Sequence, residues 1–244
     1  VLYYFFHALT QGFHHQTLSM AKNQFQLLQN SPGMMLGSTA AVIIMACVIL
    51  ALGVKQGLER AVLVMFPVML LVIFLLLGYA VLDGKFMQGV QYLFHPDFTK
   101  VNPGMFLSAL GQAFFSLNVA MGVTCMFSAY LPEGVSMVRA ALWVALADTG
   151  FALLSGLIVF PFVISFGLKF SAGPGLIFAT LPLVFSKMTG GYWVGGLFFL
   201  LVFFAAFSSV IALLEPTLCW FCERFSMARG RAVVLLGMVL GLLS

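Results

Sequence analysis

Long uninterrupted apolar runs separated by short polar breaks dominate the chain. Five of them, 34–54, 61–82, 105–131, 140–168 and 191–218, are long enough to cross a bilayer as helix. The first holds 21 uncharged residues, and a helix of that length reaches ~31 Å against a hydrocarbon core of ~30 Å. Residues 1–10 read as the tail of another helix and 231–244 as the start of one. The runs are continuous and do not alternate, which excludes a β-barrel. The expected fold is all-α: a polytopic transmembrane helical bundle forming a single domain over 1–244. Both ends fall within apolar runs, so an internal fragment of a longer protein is expected.

The connectors alternate in length. Residues 11–33, 83–104 and 169–190 are long, whereas 55–60, 132–139 and 219–230 are short. The long ones carry the breaker signals Ser31-Pro32-Gly33, Asn102-Pro103-Gly104 and Gly173-Pro174-Gly175. Residues 89–99 read as a short amphipathic surface segment. Arg60, Arg139, Arg224, Arg229 and Arg231, joined by Lys55, lie in the short connectors or at their edges. The long connectors hold Lys22, Lys85, Lys100, Lys169 and Lys187. Basic residues close to a span end set orientation, which places the short loops in the cytoplasm.

Composition narrows the class. Apolar residues make up 62% of the chain and charged ones 7%, where a soluble domain carries roughly 25% charged. A soluble enzyme, a disordered tail and a disulfide scaffold are excluded. The net charge of +4 sits in loops and is read as orientation, with no nucleic-acid partner. Cys47 and Cys125 lie in apolar spans and behave as small hydrophobes.

Against this background, polar residues inside spans are the candidates for chemistry. Asp148 lies within 140–168, where an acid costs roughly 2.5–3.5 kcal/mol to insert. Such residues face a cavity, bind a cation or relay protons; a structural acid satisfied by hydroxyls is the alternative. The span 105–131 carries Gln112, Ser116, Asn118 and Thr124 with Gly111 and Gly122. Two readings stand: a discontinuous helix that frees carbonyls for a cation, or an intact helix whose small and polar residues pack against neighbours. Ser208-Ser209 after Ala205-Ala206 offers hard oxygen ligands for Na⁺, or else hydroxyls bonded back to their own helix.

Glu215-Pro216 and Glu223 lie near the expected cytoplasmic end. They are either solvated with Arg224 and Arg229 or part of a gate closed by ion pairs. Cys219-Trp220-Phe221-Cys222 has no second pair and no ligand partner, so a metal site is not expected. His7, His14, His15 and His95 lack ligand spacing. The glycine pairs at 190–191 and 195–196 do not follow a strand and are read as packing.

Gly111-Gln112-Ala113-Phe114-Phe115-Ser116-Leu117 followed by Met121-Gly122 closely resembles the sixth helix of the neurotransmitter:sodium symporters, particularly their bacterial amino-acid-transporting members. Other pieces agree in order. Gly53-Val54-Lys55-Gln56-Gly57-Leu58-Glu59-Arg60-Ala61 resembles the opening of the fifth helix, and Phe94-His95-Pro96-Asp97-Phe98 the segment before the sixth. Gly173-Pro174-Gly175-Leu176-Ile177-Phe178 with Thr180-Leu181-Pro182 resembles the fourth outer loop. Phe203-Phe204-Ala205-Ala206-Phe207-Ser208-Ser209 resembles the core of the eighth helix. The likeness is collinear over nearly the whole chain.

The resemblance implies an inverted-repeat sodium symporter fold, of which this chain would run from the end of the third helix to the start of the ninth. The absent helices 1 and 2 would supply further ligands. It implies that Ser116 and Asp148 ligate a first sodium, and that Ala205 (carbonyl), Ser208 and Ser209 ligate a second. Phe115, Asn118, Met121, Ser209 and Leu213 would line the amino-acid pocket. Tyr130, Glu215 and Glu223 match the cytoplasmic gate, whose arginine would precede this chain. Gln112 matches a neighbour of the first site, where some members bind chloride; a carboxylate at Asp148 argues against a chloride requirement.

The family usually has Ser-Leu-Ser-x-Gly-x-Gly in its sixth helix, where this chain has Ser-Leu-Asn-Val-Ala-Met-Gly. The methyl of Ala120 and the larger Asn118 favour a small or aliphatic amino acid. The expected function is therefore Na⁺-coupled symport of such a substrate by alternating access, in the plasma (inner) membrane, with Na⁺ as coupling ion and no organic cofactor. Proton coupling through Asp148 and a non-transporting membrane sensor are the alternatives. No nucleophile–base pair or metal cluster points to an enzyme.

Overall fold

The computed structural model describes residues 1–10, 18–82, 86–95, 98–131, 134–165, 175–188 and 190–243. His14, His15, Lys85, Pro96-Asp97, Lys169 and Gly173-Pro174 lie outside the described residues. Among those described, the secondary structure is helical throughout. In chain order the α-helices are α1 (Leu2–Thr10), α2 (Leu18–Gln29), α3 (Pro32–Ala51), α4 (Arg60–Leu82), α5 (Phe86–Phe94), α6 (Pro103–Ser116), α7 (Val123–Ser128), α8 (Met137–Ser165), α9 (Leu181–Lys187), α10 (Gly191–Phe225) and α11 (Arg229–Leu243).

Four stretches are long and apolar enough to cross a membrane: Pro32–Ala51, Val54–Leu82, Met137–Ile164 and Gly191–Phe225. The apolar run 105–131 is not a single helix; it is divided between α6 and α7. Two of the expected short connectors are largely helical. At 55–60 a π-helical turn, Val54–Glu59, feeds directly into α4. Gly53 turns the chain at φ 88°, and Gly57 then packs so closely that an added Cβ would lie 2.0 Å from the Ile49 carbonyl oxygen. At 219–230, α10 continues to Phe225, and Trp220, Phe221 and Phe225 pack on one another along that last stretch. The helix ends where Ser226 takes a left-handed conformation, φ 49°, and the Met227 N–H donates to the Cys222 carbonyl at 3.2 Å.

The breaker signals open helices. Asn102 caps α6 by accepting from the Met105 N–H at 2.9 Å, with Pro103 at the first helical position, where its missing donor is harmless. Pro32 does the same for α3. The amphipathic segment expected at 89–99 is α5, displaced toward the N-terminus, and it lies on α8 where Gly89 touches Pro161. The long connector 11–33 contains α2, which stacks Phe25 on Phe178 with rings 5.5 Å apart.

The 35-residue α10 is the spine. Its first half packs with α1, α4, α8 and α9 in a core holding Tyr4, Leu76, Phe162, Phe185 and Phe199. Its second half packs with α3, α4 and α11 around Leu50, Met65, Ile211, Leu218 and Val233. Lipid tails are as apolar as these side chains, so close van der Waals fit holds such helices together. The contact of Cys47 with Gly237 between α3 and α11, where a Cβ would lie 3.0 Å from the sulfur, is one instance.

Candidate functional site

The break between α6 and α7 follows from two residues. Asn118 is left-handed at φ 52° and Gly122 at φ 71°. Asn tolerates that region better than most residues because its short polar side chain bonds locally. Asn118 Nδ2 donates to the Ser116 carbonyl at 3.4 Å, and Thr124 Oγ1 donates to the Asn118 carbonyl at 3.1 Å. A short 3₁₀ turn, Val119–Met121, joins the halves. Backbone groups that an intact helix would pair are thus held by local side chains or left free, a state that survives at membrane depth only under cover of protein or water.

Asp148, on α8, meets the end of α6. Ser116 Oγ donates to Asp148 Oδ2 at 2.9 Å, and both residues are half-buried. A carboxylate offers about four lone-pair positions and the serine takes one. Carboxylate and hydroxyl oxygens are the hard donors that an alkali cation accepts. Gln112 is exposed one helical turn before Ser116.

On α10, Ser208 Oγ and Ser209 Oγ both donate to the Ala205 carbonyl, each at 3.0 Å. The hydroxyl protons are directed at one acceptor, so the hydroxyl lone pairs remain available. Ser208 and Ser209 line a cavity of about 550 Å³ together with Asn118 and Leu213. Val54, Leu58 and Glu59 of the π turn, Val62 and Leu63 of α4, and Val123 and Phe127 of α7 complete much of its wall. Phe115 and Met121 are not in that lining; they are 65% and 44% exposed.

The three gate candidates separate. Glu215 is fully buried, and both its carboxylate oxygens accept from Arg229 Nη2, at 2.8 and 2.6 Å. Arg229 Nε also donates to the Leu50 carbonyl at the end of α3, at 2.7 Å. Cys219 Sγ lies 3.5 Å from Glu215 Oε1 and 3.7 Å from the Tyr130 hydroxyl, so Tyr130 reaches the pair through a thiol. Glu223 is exposed. Glu215 thus has an arginine partner within this chain, although the resemblance implied one from an earlier segment.

Sequence reasoning did not single out Glu59 or the wall residues from the π turn, α4 and α7. The positions 54, 58, 62 recur every four residues, which marks one helical face, but nothing in the pattern says what that face meets. Arg229 was expected only as one of two arginines solvated near Glu215 and Glu223, and its buried two-oxygen pairing with Glu215 was not foreseen. The C-x-x-C pair contributes Cys219 to a hydrogen-bonded network.

Comparison with known proteins adds a consistent set of relatives. The model of the sodium:neurotransmitter symporter family matches residues 6–243. An uncharacterized sodium-dependent transporter of Haemophilus influenzae is 35% identical over 223 residues, covering 90% of this chain and 48% of its own length. The uncharacterized sodium-dependent transporter YhdH of Bacillus subtilis is 37% identical over 193 residues, covering 78% of this chain and 42% of its own. The crystal structure of MhsT in complex with L-phenylalanine superposes with a TM-score of 0.86 at 34% identity, over 99% of this chain and 55% of that one. The chain spans about half the length of the curated relatives it matches.

Proposed function

The chain belongs to the sodium:neurotransmitter symporter family, and on that premise we propose that the whole protein is a Na⁺-coupled secondary active symporter that imports a small or aliphatic amino acid by alternating access. Family membership and four membrane-length apolar helices make it a multi-pass membrane protein. Its relatives are transporters, not enzymes.

The observation that carries the reading is the bond between Ser116, at the end of a broken helix, and Asp148, on a different helix. It brings a carboxylate to the broken end of a helix, and discontinuous helices are where transporters build cation sites in lipid. Ser116 and Asp148 form the first sodium site, and Ala205, Ser208 and Ser209 the second. Asn118, Leu213 and Ser209, on the shared cavity, bound the substrate, with Phe115 and Met121 completing the pocket from α6 and the 3₁₀ turn. The Asp148 carboxylate near Gln112 argues against a chloride requirement. Tyr130, Glu215 and Glu223 belong to the inner gate, and the short Arg-bearing loops lie in the cytoplasm. Sodium moving down its gradient drives uptake, one charge through 100 mV supplying about 2.3 kcal/mol.

The same Ser116–Asp148 bond favours one rival, a proton carried by Asp148. Uptake of a mixed labelled amino-acid pool into proteoliposomes of the whole protein separates them. An inward Na⁺ gradient is expected to drive uptake, and alanine at Ser208 and Ser209 to abolish that dependence. Uptake driven by a pH gradient alone moves coupling to Asp148, and Na⁺-dependent binding without uptake makes the protein a sensor. MhsT was crystallised with phenylalanine, so aromatic competitors belong in the assay. Accumulation of Trp or Tyr ahead of aliphatic residues overturns the substrate assignment.

A further inference from the structure

Helical hydroxyls in this chain commonly bond back within their own helix. Thr10, Thr149 and Ser209 each donate to a carbonyl four residues earlier, the ordinary arrangement for such side chains. Thr124, in the first turn of α7, departs from it. Its Oγ1 reaches six residues back, across the 3₁₀ turn, to the Asn118 carbonyl at 3.1 Å. The bond also runs between two cavities. Asn118 lines the one shared with Ser208 and Ser209. Thr124 lines a second, of about 410 Å³, between α7 and the start of α8, with Leu117, Val119 and Val144 in its largely apolar wall.

What the bond does follows from the geometry of Asn118. This residue is left-handed at φ 52°, a conformation that is costly for a residue with a Cβ. Gly122 takes its positive φ freely; Asn118 needs support. Its carbonyl accepts from two donors, the Met121 N–H at 3.3 Å and the Thr124 hydroxyl at 3.1 Å. The shorter bond comes from α7, so α7 fixes the peptide that follows Asn118. The Asn118 side chain turns back toward α6, where its Nδ2 donates to the Ser116 carbonyl at 3.4 Å. Ser116 Oγ in turn donates to Asp148 Oδ2 at 2.9 Å. Three hydrogen bonds thus link α7, residue by residue, through the broken segment to α8.

We propose that Thr124 is a positioning residue for the Ser116–Asp148 cation site. Its hydroxyl holds Asn118 left-handed, and the Asn118 amide then fixes the Ser116 peptide and the hydroxyl that it carries. This rests on the reading of Ser116 and Asp148 as a sodium site. Thr124 acts on the cation through Asn118, not by contact. Ligands held in place beforehand leave less ordering to be done when the cation arrives, so releasing them lowers affinity.

The test is binding of radioactive Na⁺ by the whole protein purified in detergent, with no amino acid present. The binding that Asp148→Asn removes is assigned to the Ser116–Asp148 site. Thr124→Val keeps the side-chain shape against a largely apolar cavity and retains the fold. It is expected to raise the Na⁺ concentration for half-saturation of that component about fivefold, the scale of one neutral hydrogen bond. Thr124→Ser keeps the hydroxyl and the wild-type value. Asn118→Gly keeps the left-handed geometry without the amide. It lowers Na⁺ affinity by itself, and adding Thr124→Val to it gives no further shift. An unshifted Thr124→Val overturns the proposal. So does a shift that Thr124→Ser shares, which marks a packing role, or one that adds in full to Asn118→Gly, which marks a route that bypasses the amide. If Asp148→Asn removes no Na⁺ binding, the sodium-site reading falls and the proposal with it. If Asp148→Asn removes a component that Thr124→Val leaves unshifted, the positioning role falls alone.

Discussion

Glu215 is fully buried, and Arg229 meets both of its oxygens through Nη2 while its Nε donates to the Leu50 carbonyl. Desolvating two ions is costly, so the pair adds little net stability, but removing one partner strands the other. Arg229→Met is expected to destabilise the protein by about 3–5 kcal/mol, and Glu215→Gln with Arg229→Met together by much less. Thermal unfolding in detergent of the single and double variants measures this. A double variant no better than Arg229→Met alone would mean the residues act separately. The pair also explains why Glu223, exposed one further stretch along α10, is the freer of the two acids for a gate.

At the scale of elements, the π turn before α4 depends on Gly57. A methyl there would meet the Ile49 carbonyl at 2.0 Å, a backbone atom that cannot swing aside. Gly57→Ala is expected to cost roughly 1–3 kcal/mol and to push the turn off α3. A loss of thermal stability in that range checks it, and an unchanged melting temperature would show that the turn gives way freely. The all-α class was legible because the apolar runs exceed any soluble helix in continuity. The π turn was not, since Gly53 and Gly57 look like loop residues until α3 is seen to end beside them. The break at Asn118 and Gly122 was legible only as one of two readings, because left-handed geometry and tight packing ask for the same small residues. The Ser116–Asp148 contact spans 32 positions; residue types marked both ends, and only the family resemblance implied that they meet. The sequence named Arg229 near Glu215 but as a solvated neighbour; the buried pair needs the turn at Ser226, where no glycine announces a left-handed cap.

For the whole molecule, the two cores share α10, so a shift of that helix moves both. α3 and α11 complete one core and α1, α8 and α9 the other, while α4 and α10 run through both. α10 has 35 residues, which at the helical rise is ~52 Å, well beyond a hydrocarbon core of ~30 Å. Trp193 and Trp220 stand 27 positions apart on it, 63% and 54% exposed. That separation is ~40 Å, close to the ~40–45 Å between the two headgroup layers, and indole rings settle at such interfaces. The spine is therefore expected to respond to bilayer thickness. Each ångström of mismatch costs a fraction of a kcal/mol, and here the strain would fall on a helix that joins both cores and carries the Ser208–Ser209 pair. Uptake in vesicles of graded acyl-chain length is expected to peak at one thickness and decline on either side, and a flat profile would detach the length of the spine from the mechanism. The distance between two tryptophans is then expected to make the surrounding lipid one determinant of the uptake rate.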